Sequence, residues 1–294
     1  MKLIHISDTH IGRDDNTLRF ERVVDDLLAH PPCAPEDCVI VHTGDLIDSA
    51  TDTHRRAARV LLDRLATRYR VLLCPGNHDY GDAISLDEEA AETFQQTFRD
   101  YIFQGKPSSF PVLSEVGANH AFIGLDSNAE ELRFWERWFA EGHLGEAQLS
   151  ALDRLLDSPV VAGKQVIIYL HHHPFSFGYS VTPDVGDRNP LYNLFTQLSR
   201  PFLRLKDAYS FSQVVRDRAQ VLLFGHMHFG LDCSGESRKY GIQMALDGSS
   251  TTCAEDEADR MRYRVIDLAD MSYTVRTLKL QDDRGKINHI ETVA

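Results

Sequence analysis

The chain has 294 residues, of which 43% are hydrophobic, 9% aromatic and 26% charged, a globular composition that excludes disordered, collagen-like and disulfide-stapled classes. Lys and Arg total 31 against 44 for Asp and Glu, a net charge of −13, which argues against an extended nucleic-acid surface or an anionic-membrane partner. The length suits one large α/β domain over residues 1–294, and the 14 His are the count that stands out.

In chain order, the first apolar run, Lys2–Ser7, meets Asp8 too early to serve as a signal peptide, and no later run approaches the ~18–20 apolar residues of a membrane span. The five Cys (Cys33, Cys38, Cys74, Cys233, Cys253) are odd in number and never paired as C-x-x-C. Neither a disulfide framework nor a thiolate zinc site is expected, and a reducing cytoplasm fits best. β-Branched runs at Lys2–Ser7, Cys38–His42, Arg70–Cys74, His120–Leu125, Gln165–Leu170 and Gln220–Phe224 predict strands. Between them, Leu18, Val23, Val24, Leu27 and Leu28, then Ala57, Val60, Leu61 and Leu65, then Leu149, Leu152, Leu155 and Leu156 recur at helical spacing, as core-facing helices do. The acidic segment Asp82–Asp100 reads as a solvated helix. Residues 174–206 carry four Pro and several aromatics between Pro174 and Pro201, a long excursion with no clean period. From about 240 to 280 the chain turns β-rich, and Gly241–Leu246, Arg260–Leu268 and Ser272–Leu280 are expected to pair antiparallel.

The strands end in polar signatures. The first runs into Asp8-Thr9-His10, the second into Gly44-Asp45-Leu46-Ile47-Asp48, and the third into Gly76-Asn77-His78-Asp79. Two more run into His171-His172-His173-Pro174 and Gly225-His226-Met227-His228. Any one of these is an ordinary turn. Together they would meet at the carboxyl edge of one sheet, where α/β proteins bind ligands. Seven of the 14 His lie in these loops, and oxygen and nitrogen donors in such numbers are what divalent cations take. Asp8 and His10 leave a strand two residues apart and can turn to one ion; Asp45 can bridge two, and Asn77 adds a neutral oxygen. Two dications, two carboxylates and one hydroxide sum to about +1, a locally cationic pocket in an acidic chain.

These five motifs in this order resemble the calcineurin-like metallophosphoesterase superfamily, and within it the bacterial class III cyclic-nucleotide phosphodiesterases. The second likeness rests also on H-H-H-P, on Leu125-Asp126-Ser127 and on the β-rich tail; the excursion after Pro174 is longer than that group's usual connection. The resemblance implies a four-layer αββα sandwich with two divalent ions per chain, Mn, Fe, Zn or Mg. One ion would take Asp8, His10, Asp45 and His228. The other would take Asp45, Asn77, His226 and one His of the fourth motif, His171 as the first residue past its strand or else His172. His173 would stand behind them or face solvent. The implied reaction is hydrolysis of a small phosphodiester, a 3′,5′-cyclic nucleotide being the leading candidate, by a metal-bridging hydroxide. His78 would protonate the leaving oxygen, Asp79 would orient His78, and Asp48 would support the loop or hold a ligand His. Phe175, Tyr179, Tyr192 and Phe229 could stack a base. The alternatives are a phosphomonoesterase or nucleotide-linked pyrophosphatase, then a nuclease, then a non-catalytic scaffold, which would lack ligands that are all present here. His5 and His42, inside strands, read as structural. Oligomeric state is left open.

Overall fold

The computed structural model describes residues 1–81, 85–130, 141–175, 205–252, 260–279 and the strand at 288–293. Its strands are β1 (Lys2–Ile6), β2 (Cys38–His42), β3 (Arg70–Leu73), β4 (Val112–Val116), β5 (His120–Gly124), β6 (Gln165–Tyr169), β7 (Val221–Phe224), β8 (Met244–Asp247), β9 (Arg260–Asp267), β10 (Ser272–Lys279) and β11 (Asn288–Val293). They form a six-stranded sheet in the order β11-β10-β9-β1-β2-β3 and a five-stranded sheet in the order β4-β5-β6-β7-β8. Within the first, β1, β2 and β3 run parallel and β9 to β11 antiparallel. Within the second, β5 to β8 run parallel and β4 antiparallel to β5.

Side-chain alternation makes the layers. Leu3, Val39, Val41 and Leu72 of the first sheet meet Phe122, Ile167, Tyr169 and Leu223 of the second in one apolar seam. Ile4, Ile6, Ile40 and Val71 point the other way, onto Phe20, Val23 and Leu27 of helix Asn16–Ala29 and Leu62 and Leu65 of helix Asp52–Ala66. On the far side, Ile123, Ile168 and Leu222 pack on Leu149 and Leu152 of helix Gly145–Leu156 and Phe211 of helix Ala208–Val215. Helices thus cover both outer faces of two stacked sheets, the expected αββα sandwich. No described helix is long and apolar enough to cross a membrane.

Four expectations are corrected. β8 pairs parallel with β7, Val221 opposite Met244. The chain first passes through the short helical turns at Ser234–Tyr240 and so re-enters from the same end. The acidic segment is half-buried rather than solvated: its helix spans Glu88–Thr97, capped by Asp87, and buries Ala91 and Phe94. Cys33 and Cys38 are joined in a disulfide, their Cα atoms 6.2 Å apart, although no framework was expected from the odd count. β4 and β11, absent from the sequence reading, extend the two sheets at their edges. The excursion falls outside the described residues from 176 to 204; its ends are joined where the Leu205 amide donates to the His173 carbonyl at 3.1 Å.

Candidate metal centre

Past the last residues of β1 and β2 the two chains stay in step. Thr43 N donates to Ile6 O, Asp8 N to Gly44 O, His10 N to Asp45 O and Ile11 N to Leu46 O, each at 3.0 Å. This ladder holds the D-x-H and G-D-x-x-D loops against each other. The backbone inside it is unusual: Asp8, His10 and Asp45 have φ of +49°, +43° and +51°, and His226 and His228 have +74° and +57°. Left-handed non-glycine residues are uncommon, Asp and His being among the tolerated types, and their clustering marks functional loops. Glycines make the close approach possible. A Cβ on Gly225 would strike Ser7 Oγ and Asp8 Oδ2, and one on Gly76 would strike the Asp45 backbone and carboxylate.

Two groups of donors result. In the first, His228 Nε2 lies 3.1 Å from Asp8 Oδ1 and 3.1 Å from His10 Nε2, and His10 Nε2 is 3.8 Å from Asp45 Oδ2. In the second, His171 Nε2 lies 3.3 Å from Asp45 Oδ2, 3.0 Å from Asn77 Oδ1 and 3.1 Å from His226 Nδ1. Asp45 faces both groups. Ligand atoms of Asp8, His10 and His228, and of Asp8, Asp45 and His171, come close enough to share an ion, as do those of His10, Asp45 and His78 and of His171, His172 and His226.

The residues fit divalent cations on three observations. First, His171 Nδ1 donates to the Thr43 carbonyl at 2.8 Å, so its Nε2 lone pair is turned on the carboxylate of Asp45 and the amide oxygen of Asn77, an arrangement that needs a cation or a proton among the acceptors. A proton serves here: burial opposes it, but Asp45 outweighs burial and pushes His171 up to about 9. Second, burial pushes His10 and His226 down to about 3, so both are neutral imidazoles ready to coordinate. Third, the carboxylates stay ionised: burial would raise Asp8, yet His228 and His171 bring it to about 2, and Asp45 is held well below the usual range by His171 and His78 against the same burial. The donors are carboxylate, amide and imidazole without thiolate, the set that suits Mn, Fe, Zn or Mg.

The remaining expected residues are distributed as follows. His78 presents a side chain 17% exposed beside His10, ring centroids 4.6 Å apart, with Nδ1 donating to the Asp48 carbonyl at 2.7 Å. Asp48, not Asp79, therefore orients it. Asp79 instead accepts the amides of Ile47 at 3.0 Å and Gly76 at 2.8 Å, stapling two motif loops together; burial and the Asp45 charge push its carboxyl well above the usual range. Asp48 Oδ1 also lies 3.6 Å from His10 Nδ1. His172 lies behind His226, ring centroids 4.5 Å apart, with Nδ1 2.7 Å from Ser127 Oγ. His173 is buried rather than solvent-facing, 4.9 Å from the Phe224 ring and 3.8 Å from Cys233 Sγ. Phe175, expected on the substrate side, is buried in the core against Phe224 and stacked on Tyr240, centroids 5.9 and 6.4 Å away. Phe229 leans on the same core. Tyr179 and Tyr192 lie outside the described residues.

Other residues support the donors: Asp126 and Ser127 belong to the strand end singled out in the sequence, whereas Ser250 had no signal there. Ser127 holds His172, and Ser250 donates to the Asp8 carbonyl at 2.7 Å. Asp126 accepts from Tyr80 at 2.8 Å and from the Asn128 amide at 2.9 Å, and burial pushes its carboxyl up to about 6.

The family model of the calcineurin-like phosphoesterases matches residues 1–230. Among solved structures, a dimetal phosphatase from Danio rerio is similar with a TM-score of 0.53 and 14% identity, covering 100% of this chain and 98% of that one. An archaeal phosphodiesterase matches with a TM-score of 0.40 and 10% identity, over 95% of this chain and 100% of that one. The 5′-nucleotidase precursor of Thermus thermophilus matches with a TM-score of 0.49 and 15% identity, over 95% of this chain and 54% of that one. A search of the curated proteins finds no match. At such identities the structural likeness speaks for the fold alone, and the family match carries the assignment: the chain belongs to the calcineurin-like phosphoesterases, hydrolases of phosphate esters.

Proposed function

We propose that the chain is a dinuclear metal-dependent phosphodiesterase acting on a small diester, with a 3′,5′-cyclic nucleotide as leading candidate. One ion would be held by Asp8, His10, Asp45 and His228, the other by Asp45, Asn77, His171 and His226. When bound, the ions supply Lewis acidity to the phosphoryl oxygens. The chain's own residues do the rest. Asp8 and Asp45, ionised and buried, fix the charge of the pocket, and the neutral imidazoles of His10 and His226 add none. His78 is the observation that carries the diesterase reading. Its Nδ1 proton is committed to the Asp48 carbonyl at 2.7 Å, so the ring acts as an acid only in its doubly protonated form, in which Nε2 hands its proton to the leaving alkoxide and the ring is left neutral. A diester with a poor leaving group needs that proton, a contribution of roughly 10²–10⁴ in rate. The net charge of −13 also favours a substrate with one negative charge over a monoester with two.

The test is a substrate panel with Mn²⁺, spanning cyclic nucleotides, simple diesters and monoesters. Diesters are expected to turn over fastest; faster turnover of the monoester removes the diesterase reading in favour of a phosphomonoesterase.

A further inference from the structure

Beneath the first donor group runs a line of side chains to which the phosphoester chemistry gives no task. His5 projects from β1 into the seam between the sheets, fully buried. Its Nε2 lies 2.9 Å from Thr43 Oγ1. The Thr43 hydroxyl donates to Ser7 Oγ at 2.7 Å, and the Ser7 hydroxyl donates to Asp8 Oδ2.

The direction of this chain is settled by counting protons. A hydroxyl has one to give. Ser7 gives its own to the carboxylate, so it accepts from Thr43, and Thr43, having given its own, accepts from the imidazole. His5 therefore carries its proton on Nε2. Its Nδ1 is the bare nitrogen, and it is buried without a partner among the described residues. Burial and the Arg264 charge hold the imidazole well below its usual range, so the ring is neutral, as the sequence of donors requires.

A neutral histidine in this place is hard to justify on packing. The seam around it is built from Leu3, Val39 and Val41, and a buried polar atom left unpaired there is destabilising. An apolar residue would fill the same space without that cost. Yet the surroundings are shaped to this line: a Cβ on Gly248 would lie 2.6 Å from Ser7 Cβ and 2.9 Å from His5 Nε2, and one on Gly225 would strike Ser7 Oγ. Thr43 also reaches the second donor group, because its carbonyl accepts the His171 Nδ1 proton at 2.8 Å.

We propose that His5, Thr43 and Ser7 are positioning residues, a one-way hydrogen-bond chain that occupies Asp8 Oδ2 and reserves Oδ1 for a divalent cation. Oδ1 is the oxygen that faces His228 Nε2, at 3.1 Å, while the His226 amide is shared between the two oxygens, 3.1 Å from each. With one oxygen committed, Asp8 is held to single-oxygen coordination and its rotation is blocked; partners of this kind typically change metal affinity by about 10–100-fold. The proposal rests on the metal reading of the site, and its test separates the two.

Mn²⁺ is titrated calorimetrically into the metal-free full chain, as wild type, His5→Leu, His5→Gln, Ser7→Ala and the double variant His5→Leu/Ser7→Ala, with the melting temperature of each recorded before addition. Wild type is expected to bind two ions. His5→Leu weakens one of them about 10–100-fold, leaves the other unchanged, and melts no lower than wild type without metal. His5→Gln, which carries a donor at comparable reach, recovers most of the affinity. The double variant binds no more weakly than Ser7→Ala alone, because a chain cut once is cut. Unchanged affinity for both ions in His5→Leu, or additive losses in the double variant, overturns the proposal. If His5→Leu does not fold, Thr43→Val breaks the same chain one bond later and is read by the same criteria. A wild type that binds no Mn²⁺ would remove the metal reading itself, and the proposal with it.

Discussion

Replacing Gly44 by Ala probes how tightly the two motif loops are wedged together. Gly44 has φ +90°, and a Cβ there would lie 2.7 Å from the Gly76 amide nitrogen and 2.7 Å from His171 Nδ1. Gly163 offers the matched control: its φ is +76°, but nothing lies within 4 Å of its Cβ position. Gly163→Ala therefore costs only the backbone conformation, about 1–2 kcal/mol. Gly44→Ala adds the displacement of a backbone and a ring from a packed site, about 1–3 kcal/mol more. Unfolding entropy of about 2.1 cal/mol/K per residue over 294 residues is roughly 0.6 kcal/mol/K, so the extra cost lowers the melting temperature by about 2–5 °C beyond the control. Differential scanning calorimetry of the three metal-free proteins reads this directly. The ring that must move is the one whose Nδ1 donates to Thr43 O, so Mn²⁺ affinity falls in Gly44→Ala and not in Gly163→Ala. Equal melting temperatures for the two variants would refute the wedge.

Three further outcomes are expected. His78→Ala retains two Mn²⁺ ions by metal analysis yet loses about 10²–10⁴ of its turnover on diesters with poor leaving groups; loss of an ion would make His78 a ligand with His10 and Asp45. Asp126 is pushed up to about 6 by burial, so its contribution to stability is complete below about pH 4 and is lost as pH rises through 6, a fall of about 3 kcal/mol. In urea unfolding across that window, the stability of wild type should fall by that amount relative to Asp126→Asn, whose side chain does not titrate; a constant difference would refute it. Phe175→Ala, which empties a core position between Phe224 and Tyr240, costs about 3–5 kcal/mol in denaturant unfolding and leaves the ranking of substrates unchanged; a changed ranking would return Phe175 to the substrate side.

The donor residues were legible because chemistry and strand termini coincide. A run of apolar residues that ends in Asp-x-His or Gly-Asn-His-Asp announces both the strand and its polar exit, and the parallel order of β1, β2 and β3 then brings the exits to one edge. What could not be read depends on partners distant in the chain. Phe175 stands next to a motif, so it resembled a substrate contact; its real neighbours are Phe224 and Tyr240, placed by β7 and the turn after it. Asp79 follows His78 directly, yet the loop geometry hands its carboxylate to Ile47 and Gly76. Direction in β8 had no periodic signal, since the turns at Ser234–Tyr240 are short and polar. Ser7 and Thr43 are small hydroxyl residues with no pattern of their own. Only the register that sets Ile6 opposite His42 brings them together.

The ladder that continues past β1 and β2 bears on how the protein acquires its ions. The left-handed residues Asp8, His10 and Asp45 are held by amide-to-carbonyl bonds between the loops, bonds that belong to the polypeptide and owe nothing to a cation. The loops therefore have backbone bracing of their own, and the proposed cations would sit on donors that this bracing holds in place. On the proposed metal reading, one divalent ion would replace another without the bracing having to be rebuilt. The identity of the proposed pair would then follow supply, and protein from manganese-rich and from iron-rich cultures is expected to differ in metal content.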